Sequence, residues 1–215
     1  QNSEDRERAL KRRFQLDDLP RERALRFAHM KYILRTDVQR FFPSIYTHSI
    51  AWALHTKAVA KKRKFDERLL GNLLDKLCRN AQDQQTVGIP IGPDTSHVIA
   101  DIVLSAVDVQ LSHRRKLRGF RYVDDYELGF DSLPEAEQCL NDLQSALAGY
   151  ELELNSGKTR ILELPHHFEP TWTSELRTME VSAEGRSQHY QLVRLFSRAF
   201  EIYHGDPTSN VLRYA

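Results

Sequence analysis

At 215 residues, with 40% hydrophobic and 28% charged side chains and a net charge of +1, the chain has a globular composition and enough length for one substantial core. That balance excludes a disordered or fibrous chain, and the near-zero net charge excludes global basicity as a reason to bind nucleic acid. No apolar run approaches the roughly 20 residues that cross a bilayer and no charged-then-apolar leader opens the chain, so the expectation is a cytoplasmic protein with no membrane partner.

The first 30 residues, rich in Arg and Glu, read as helix with a break at Asp17-Asp18-Leu19-Pro20, where Pro20 can open a second helix. Tyr32 to Asp37 is a short β-favouring run ending on an acid; Phe41-Phe42-Pro43 stops it, and Ser44 is expected to cap a helix through about Lys57. Leu69, Leu70, Leu73, Leu74 and Leu77 fall at helical spacing and predict an amphipathic helix over 66–80 packed on a core.

Gly88-Ile89-Pro90-Ile91-Gly92-Pro93 reads as a stiff loop. Asp94-Thr95-Ser96 then caps a long helix to about Arg114, its buried face predicted as Val98, Ile99, Ile102, Val103 and Ala106. Phe120 to Phe130 predicts a hairpin folded about Asp124-Asp125. Pro134 begins a helix with Leu140, Leu143 and Leu147 on one face, closed by Gly149, and two more strands are expected on either side of the Asn155-Ser156-Gly157 turn. Beyond Pro165 a stripe at Leu192, Leu195, Phe196, Ala199, Phe200 and Tyr203 fits one further packed helix. The fold class is therefore α+β, helices on one face of an antiparallel sheet.

Cys78 and Cys139 lie far apart in helical patterns, which supports buried thiols rather than a disulfide or a zinc site. Basic clumps at Lys11 to Arg13, Lys61 to Lys64 and Arg114 to Arg118 each read first as solvated helix faces. His166-His167 has no third ligand nearby in the sequence and is taken as surface.

The chemistry is concentrated in acids. Two divalent ions roughly 3.5 to 4 Å apart need bridging oxygen ligands, and carboxylates on neighbouring strands supply them. Asp37 at the end of one strand can face Asp124 in an adjacent hairpin; because successive side chains alternate faces, Asp125 ranks second to Asp124. Taken alone, an Asp-Asp pair in a hairpin is turn chemistry.

Four signatures in order change that. Asp37-Val38-Gln39-Arg40-Phe41-Phe42 resembles motif A of reverse transcriptases, Gly88 to Ser96 motif B, Tyr122-Val123-Asp124-Asp125 motif C, and Leu154 to Thr159 motif D of the group II intron, retron and related bacterial enzymes. Ile-Pro-Ile-Gly-Pro-Asp-Thr-Ser in motif B, with Phe-Phe-Pro-Ser-Ile-Tyr after motif A, is similar to abortive-infection and other defence-associated bacterial reverse transcriptases. Ile91 stands where many retroviral-type enzymes have Gln.

The resemblance implies an RNA-directed DNA polymerase acting in phage defence, with two Mg2+ ions (or Mn2+) at Asp37, Val38, Asp124 and Asp125. Lys158 becomes the general acid or charge partner of pyrophosphate. Val38, Phe42, Gly92 and Tyr122 become nucleotide- or primer-contacting positions, Phe42 as the ring that excludes a ribose 2′-hydroxyl. Implied partners are dNTPs and an RNA or DNA template-primer, with a dedicated non-coding RNA, a second copy or the rest of a larger polymerase as further candidates. The implied domains are a helical segment of fingers or linker over 1–31, a palm with part of the fingers over 32–164, and the start of a thumb or C-terminal helical region over 165–215. Untemplated or protein-primed synthesis by the same site, and a catalytically idle nucleic-acid scaffold, are the rival readings. No clear triphosphate-clamping fingers segment precedes Asp37, so the chain is expected to be part of a larger protein.

Overall fold

The computed structural model describes residues 18–165, 167, 169–182 and 185–215. The helix and basic clump expected before Asp18, together with His166, lie outside them. The chain divides after Pro165 into two compact units.

In the first unit, α1 (Leu19–Phe27) carries its proline in the first turn, where a missing N–H costs nothing. Four strands follow: β1 (Tyr32–Asp37), β2 (Gly119–Tyr122), β3 (Asp125–Phe130) and β4 (Arg160–Glu163). They form an antiparallel sheet in the order β2-β3-β1-β4. Register divides the side chains by face. Tyr32, Leu34, Thr36, Tyr126, Leu128, Phe130 and Ile161 share one face, while Ile33, Arg35, Asp37, Asp125, Glu127, Gly129 and Arg160 share the other.

The first face is mostly apolar, and α7 (Leu133–Ala148) packs on it through Ala136 and Cys139. Leu143 and Leu147 of the same helix are fully buried, as its periodicity predicts. Against the opposite face, Phe27 stacks on Phe120 at 6.0 Å. A Cβ at Gly129 would come within 2.8 Å of Met30 and 2.9 Å of Phe27, so glycine lets α1 sit directly on the strand.

Between β1 and β2 run α2 (Phe41–Ser44), α3 (His48–His55), α4 (Lys57–Lys62), α5 (Leu70–Asn80) and α6 (Asp94–Arg114). The single helix expected from Ser44 to Lys57 is broken. Ser44 donates its hydroxyl to the Gln39 carbonyl instead of capping, and Thr56, at φ 70°, ends α3 and opens α4.

The leucine stripe over 66–80 is also corrected: the helix begins at Leu70, and Leu70 and Leu77 are exposed. Its buried residues are Gly71, Asn72 and Asp75. Gly71 lies so close to α3 that a Cβ would meet the Ala51 Cα at 2.6 Å, and Asp75 is bonded to His48 at 2.6 Å. In α6 the buried stripe is Ser96, Ala100, Val103, Leu104, Val107 and Leu111. Val98 is exposed, and Pro93 rather than a hydroxyl residue holds the cap position. Only β4 forms of the two strands expected around Asn155; the segment before the turn makes a single bridge, Leu154 to Val38.

The second unit holds α8 (Thr171–Arg177), α9 (Arg186–Gly205) and α10 (Val211–Tyr214). Its core is Leu176, Ala199 and Val211, with Leu195 and Ile202 against them. The rest of the expected α9 stripe, Leu192, Phe196, Phe200 and Tyr203, is exposed.

Both cysteines are free; Cys139 is buried, which pushes its thiol up to about 11, and Cys78 is half-buried. The clump Arg114 to Arg118 is ion-paired, Arg114 and Arg115 with Asp142 and Arg118 with Asp131. Among the described residues no helix is long and apolar enough to cross a membrane.

Candidate active site

Asp37 sits at the last position of β1, held from both sides. Its Cα partner across the β1–β3 ladder is Asp125, and its carbonyl accepts from the Asn155 N–H at 2.9 Å. Gln39 N–H then donates to Glu153 O at 2.8 Å. Asp37 is only 6% exposed, and its Oδ1 is buried without a hydrogen-bond donor. A carboxylate oxygen left this way is costly unless a cation or another donor meets it.

β2 and β3 are joined through Val123 and Asp124, with Tyr122 opposite Asp125 in register. Asp125 therefore projects to the same face as Asp37, while Asp124 occupies the turn. The ladder thus gives Asp125, ranked second in the sequence, the direct cross-strand position. Asp125 reaches solvent, but partial desolvation at the strand end, then the negative charge of Asp124 and Asp37, lifts its carboxyl to about 6. Burial and Asp37 also raise Asp124. The carboxylates are close enough to repel one another, a cost that a bound cation removes.

Lys158 is delivered by the turn that follows. The Asn155 side chain accepts from Gly157 N–H at 3.1 Å, its carbonyl accepts from Lys158 N–H at 3.1 Å, and Thr159 meets Thr36 at 2.6 Å. Lys158 Nζ then donates to Asp37 Oδ2 at 2.7 Å, which raises the lysine pKa. With 68% of its side chain exposed, it can swing away at little cost.

Val38 is 1% exposed, bridged to Leu154 and packed in the main core, so anything it presents to a ligand comes from its main chain. Phe41 is buried. Phe42 is half-buried, 5.4 Å from the Phe41 ring and 5.1 Å edge-on from His97. Its carbonyl accepts from Ile89 N–H at 2.9 Å, and Gly88 N–H donates to Ile45 O at 2.8 Å, tying the Gly88–Pro93 loop to the segment after Asp37. Gly92 has φ +118° with open space where a Cβ would be, a conformation available mainly to glycine.

The structure brings together Asp37, Asp124, Asp125 and Lys158. Among the described residues no three Asp, Glu, His or Cys side chains stand together as a group that could hold a metal ion. Lys158 holds one oxygen of Asp37, so a cation that takes that oxygen must displace an exposed lysine and complete its shell with water or substrate oxygens.

Two charged groups escaped the sequence reading. Glu127, buried on the same face two residues from Asp125, takes a forked bond from Arg23 at 2.9 and 3.0 Å and faces Arg35 at 3.4 Å. Arg121 links the hairpin to α6. The spacing of Asp101 and Asp108, two helical turns apart on one face, was the available signal for the second.

A family model described as reverse transcriptase (RNA-dependent DNA polymerase) matches residues 6–189. No curated protein shows significant similarity to the chain. Among solved structures, telomerase from Candida albicans in complex with a TWJ fragment of telomeric RNA is similar at 15% identity and a TM-score of 0.45, over 70% of this chain and 29% of that one. The chain therefore spans less than a third of the length of that telomerase chain.

Proposed function

The chain belongs to the reverse transcriptase (RNA-dependent DNA polymerase) family, and from that premise we propose that it extends a primer with deoxynucleotides at a two-metal site formed by Asp37, Asp124 and Asp125. The observation that carries this reading is the register of Asp37 against Asp125, with Asp124 in the adjoining turn and the Asp37 Oδ1 buried without a donor. The sheet and its helices act as the polymerase palm over 32–164, with 1–31 in fingers or linker and 165–215 opening a thumb or C-terminal region.

Asp37 and Asp125 would hold the ions from neighbouring strands and Asp124 from the turn, with the Val38 main chain as a further oxygen donor. Mg2+ is the expected ion because the donors are hard oxygens, with Mn2+ as substitute. When bound, the ions supply Lewis acidity that lowers the pKa of the primer 3′-hydroxyl and neutralises charge on the leaving pyrophosphate.

Lys158 releases Asp37 and turns to the pyrophosphate as proton donor and compact positive charge. Phe42 places its ring beside the sugar and excludes a 2′-hydroxyl. Tyr122 supports the primer end, and Gly92 lets the main chain approach the incoming base pair. The protein's own share is positioning and electrostatic stabilisation.

The wording of motif B and of the segment after Asp37 supports a bacterial antiphage setting, with a nucleic-acid template-primer and dNTPs as partners. The test is incorporation of labelled dNTPs by the full-length protein, with and without a primed RNA or DNA template. Asp124→Ala with Asp125→Ala must abolish product; unchanged incorporation sinks the site. Product made equally well from single dNTPs without nucleic acid replaces template copying with untemplated synthesis at the same site.

A further inference from the structure

The two-residue turn that carries Asp124 has an unusual first residue. Val123 has φ 58°, in the left-handed region, where a β-branched side chain is strained. Hairpin turns of this length normally place glycine or asparagine there. Something must hold the valine in that conformation.

Arg121 does. It donates from Nη1 to the Val123 carbonyl at 2.6 Å, from Nε to Asp108 Oδ2 at 2.9 Å and from Nη2 to Asp101 Oδ1 at 2.9 Å. The second oxygen of Asp108 accepts from the Tyr126 hydroxyl at 2.9 Å. Tyr126 stands opposite Arg121 in register, on the sheet face turned away from Asp125. The Arg121 side chain is 13% exposed. Burial alone lowers its pKa, but bonding to Asp108 reverses the direction and the guanidinium is held charged.

Three donors in a fixed planar fork thus meet three acceptors on two elements, a task a lysine ammonium on its flexible stem does not reproduce. Asp101 and Asp108 belong to α6, which begins where the Gly88–Pro93 loop ends. That loop is in turn bonded to Phe42 and Ile45. The nucleotide side of the site and the metal-binding turn are therefore joined through one side chain.

We propose that Arg121 is a positioning residue for the metal site: by clamping the Val123 carbonyl against α6 it maintains the strained turn that aims Asp124 and Asp125 at Asp37. This rests on the reading of the three aspartates as ion ligands. It adds that the turn's geometry is imposed from the opposite face of the sheet.

The experiment is a titration of the full-length protein with Mn2+ alone, followed by electron paramagnetic resonance. The variants are R121K, R121K with V123G, and D37N with D125N as the reference for a lost site. R121K is expected to weaken Mn2+ binding at least fivefold. V123G in the R121K background is expected to recover at least half of that loss, because glycine adopts the positive φ without a clamp.

R121K that binds Mn2+ like wild type overturns the inference. So does weakened binding that V123G leaves unrescued, since an arginine that only stabilises the fold has no reason to couple to residue 123. If R121K does not fold, D101N, at a side chain 60% exposed, must weaken binding at least twofold, and unchanged binding overturns the proposal. Wild type binding no better than D37N with D125N instead removes the metal site itself.

Discussion

The two faces of one sheet solve different problems with the same strands. On one, Leu34, Leu128 and Phe130 meet Ala136 and Cys139 in a sealed apolar layer. On the other, Asp37, Asp125, Glu127 and Arg35 line up as charges at alternate positions. Strand alternation makes this division possible. The difference teaches that the apolar face supplies the stability on which the charged face, with its crowded carboxylates and orphaned oxygen, depends.

The largest expected effect breaks the charged face alone. Asp37→Asn should lower incorporation by roughly a thousandfold without lowering the thermal unfolding temperature, as steady-state kinetics and calorimetry on the same sample will show. Leu143→Ala cuts the other way. Its side chain is fully buried, so its loss should cost about 3 kcal/mol in denaturant unfolding, with incorporation preserved at temperatures where the variant stays folded.

Phe42→Val sharpens the comparison within the site. Ribonucleotide use relative to deoxynucleotide use should rise roughly 10- to 100-fold in competition assays, while the dNTP rate changes less. The smallest effect is that of pH. Asp125 is held at about 6, above its ordinary 3.8, so its protonated form is the one favoured by folding. The metal-free protein should lose stability as pH rises from about 4 to about 6 and keep that loss above, whereas Asp125→Asn should flatten the slope. Below pH 6 a cation competes with the proton, and Mn2+ affinity should fall by roughly tenfold per pH unit.

What was legible in the sequence follows from which forces are local. Tyr32–Asp37, the Asp124-Asp125 hairpin and the Leu143–Leu147 helix face declare themselves by periodicity and turn chemistry, and the structure contains each. The leucine stripe of α5 misled because contact is decided elsewhere: Gly71 lets the helix touch Ala51, and Asp75 is buried by its bond to His48. The strand expected before Asn155 shrank to one bridge because the chain turns at once to present Lys158.

Asp37, Asp124, Asp125 and Lys158 were each named from sequence, and the fold gathers them. Their support was not legible. Arg121 reaches Asp101 and Asp108 across more than a dozen residues, and Arg23 reaches Glu127 across about a hundred. The two-turn spacing of Asp101 and Asp108 marks one helix face, but no periodicity reports which arginine meets it.

The most direct measurement is anomalous X-ray diffraction from crystals of the protein soaked with Mn2+ and a non-hydrolysable deoxynucleotide. Two peaks roughly 3.5 to 4 Å apart, touching Asp37 and the Asp124-Asp125 turn, are the predicted result. Peaks located away from these carboxylates, or none beside the bound nucleotide, would contradict it.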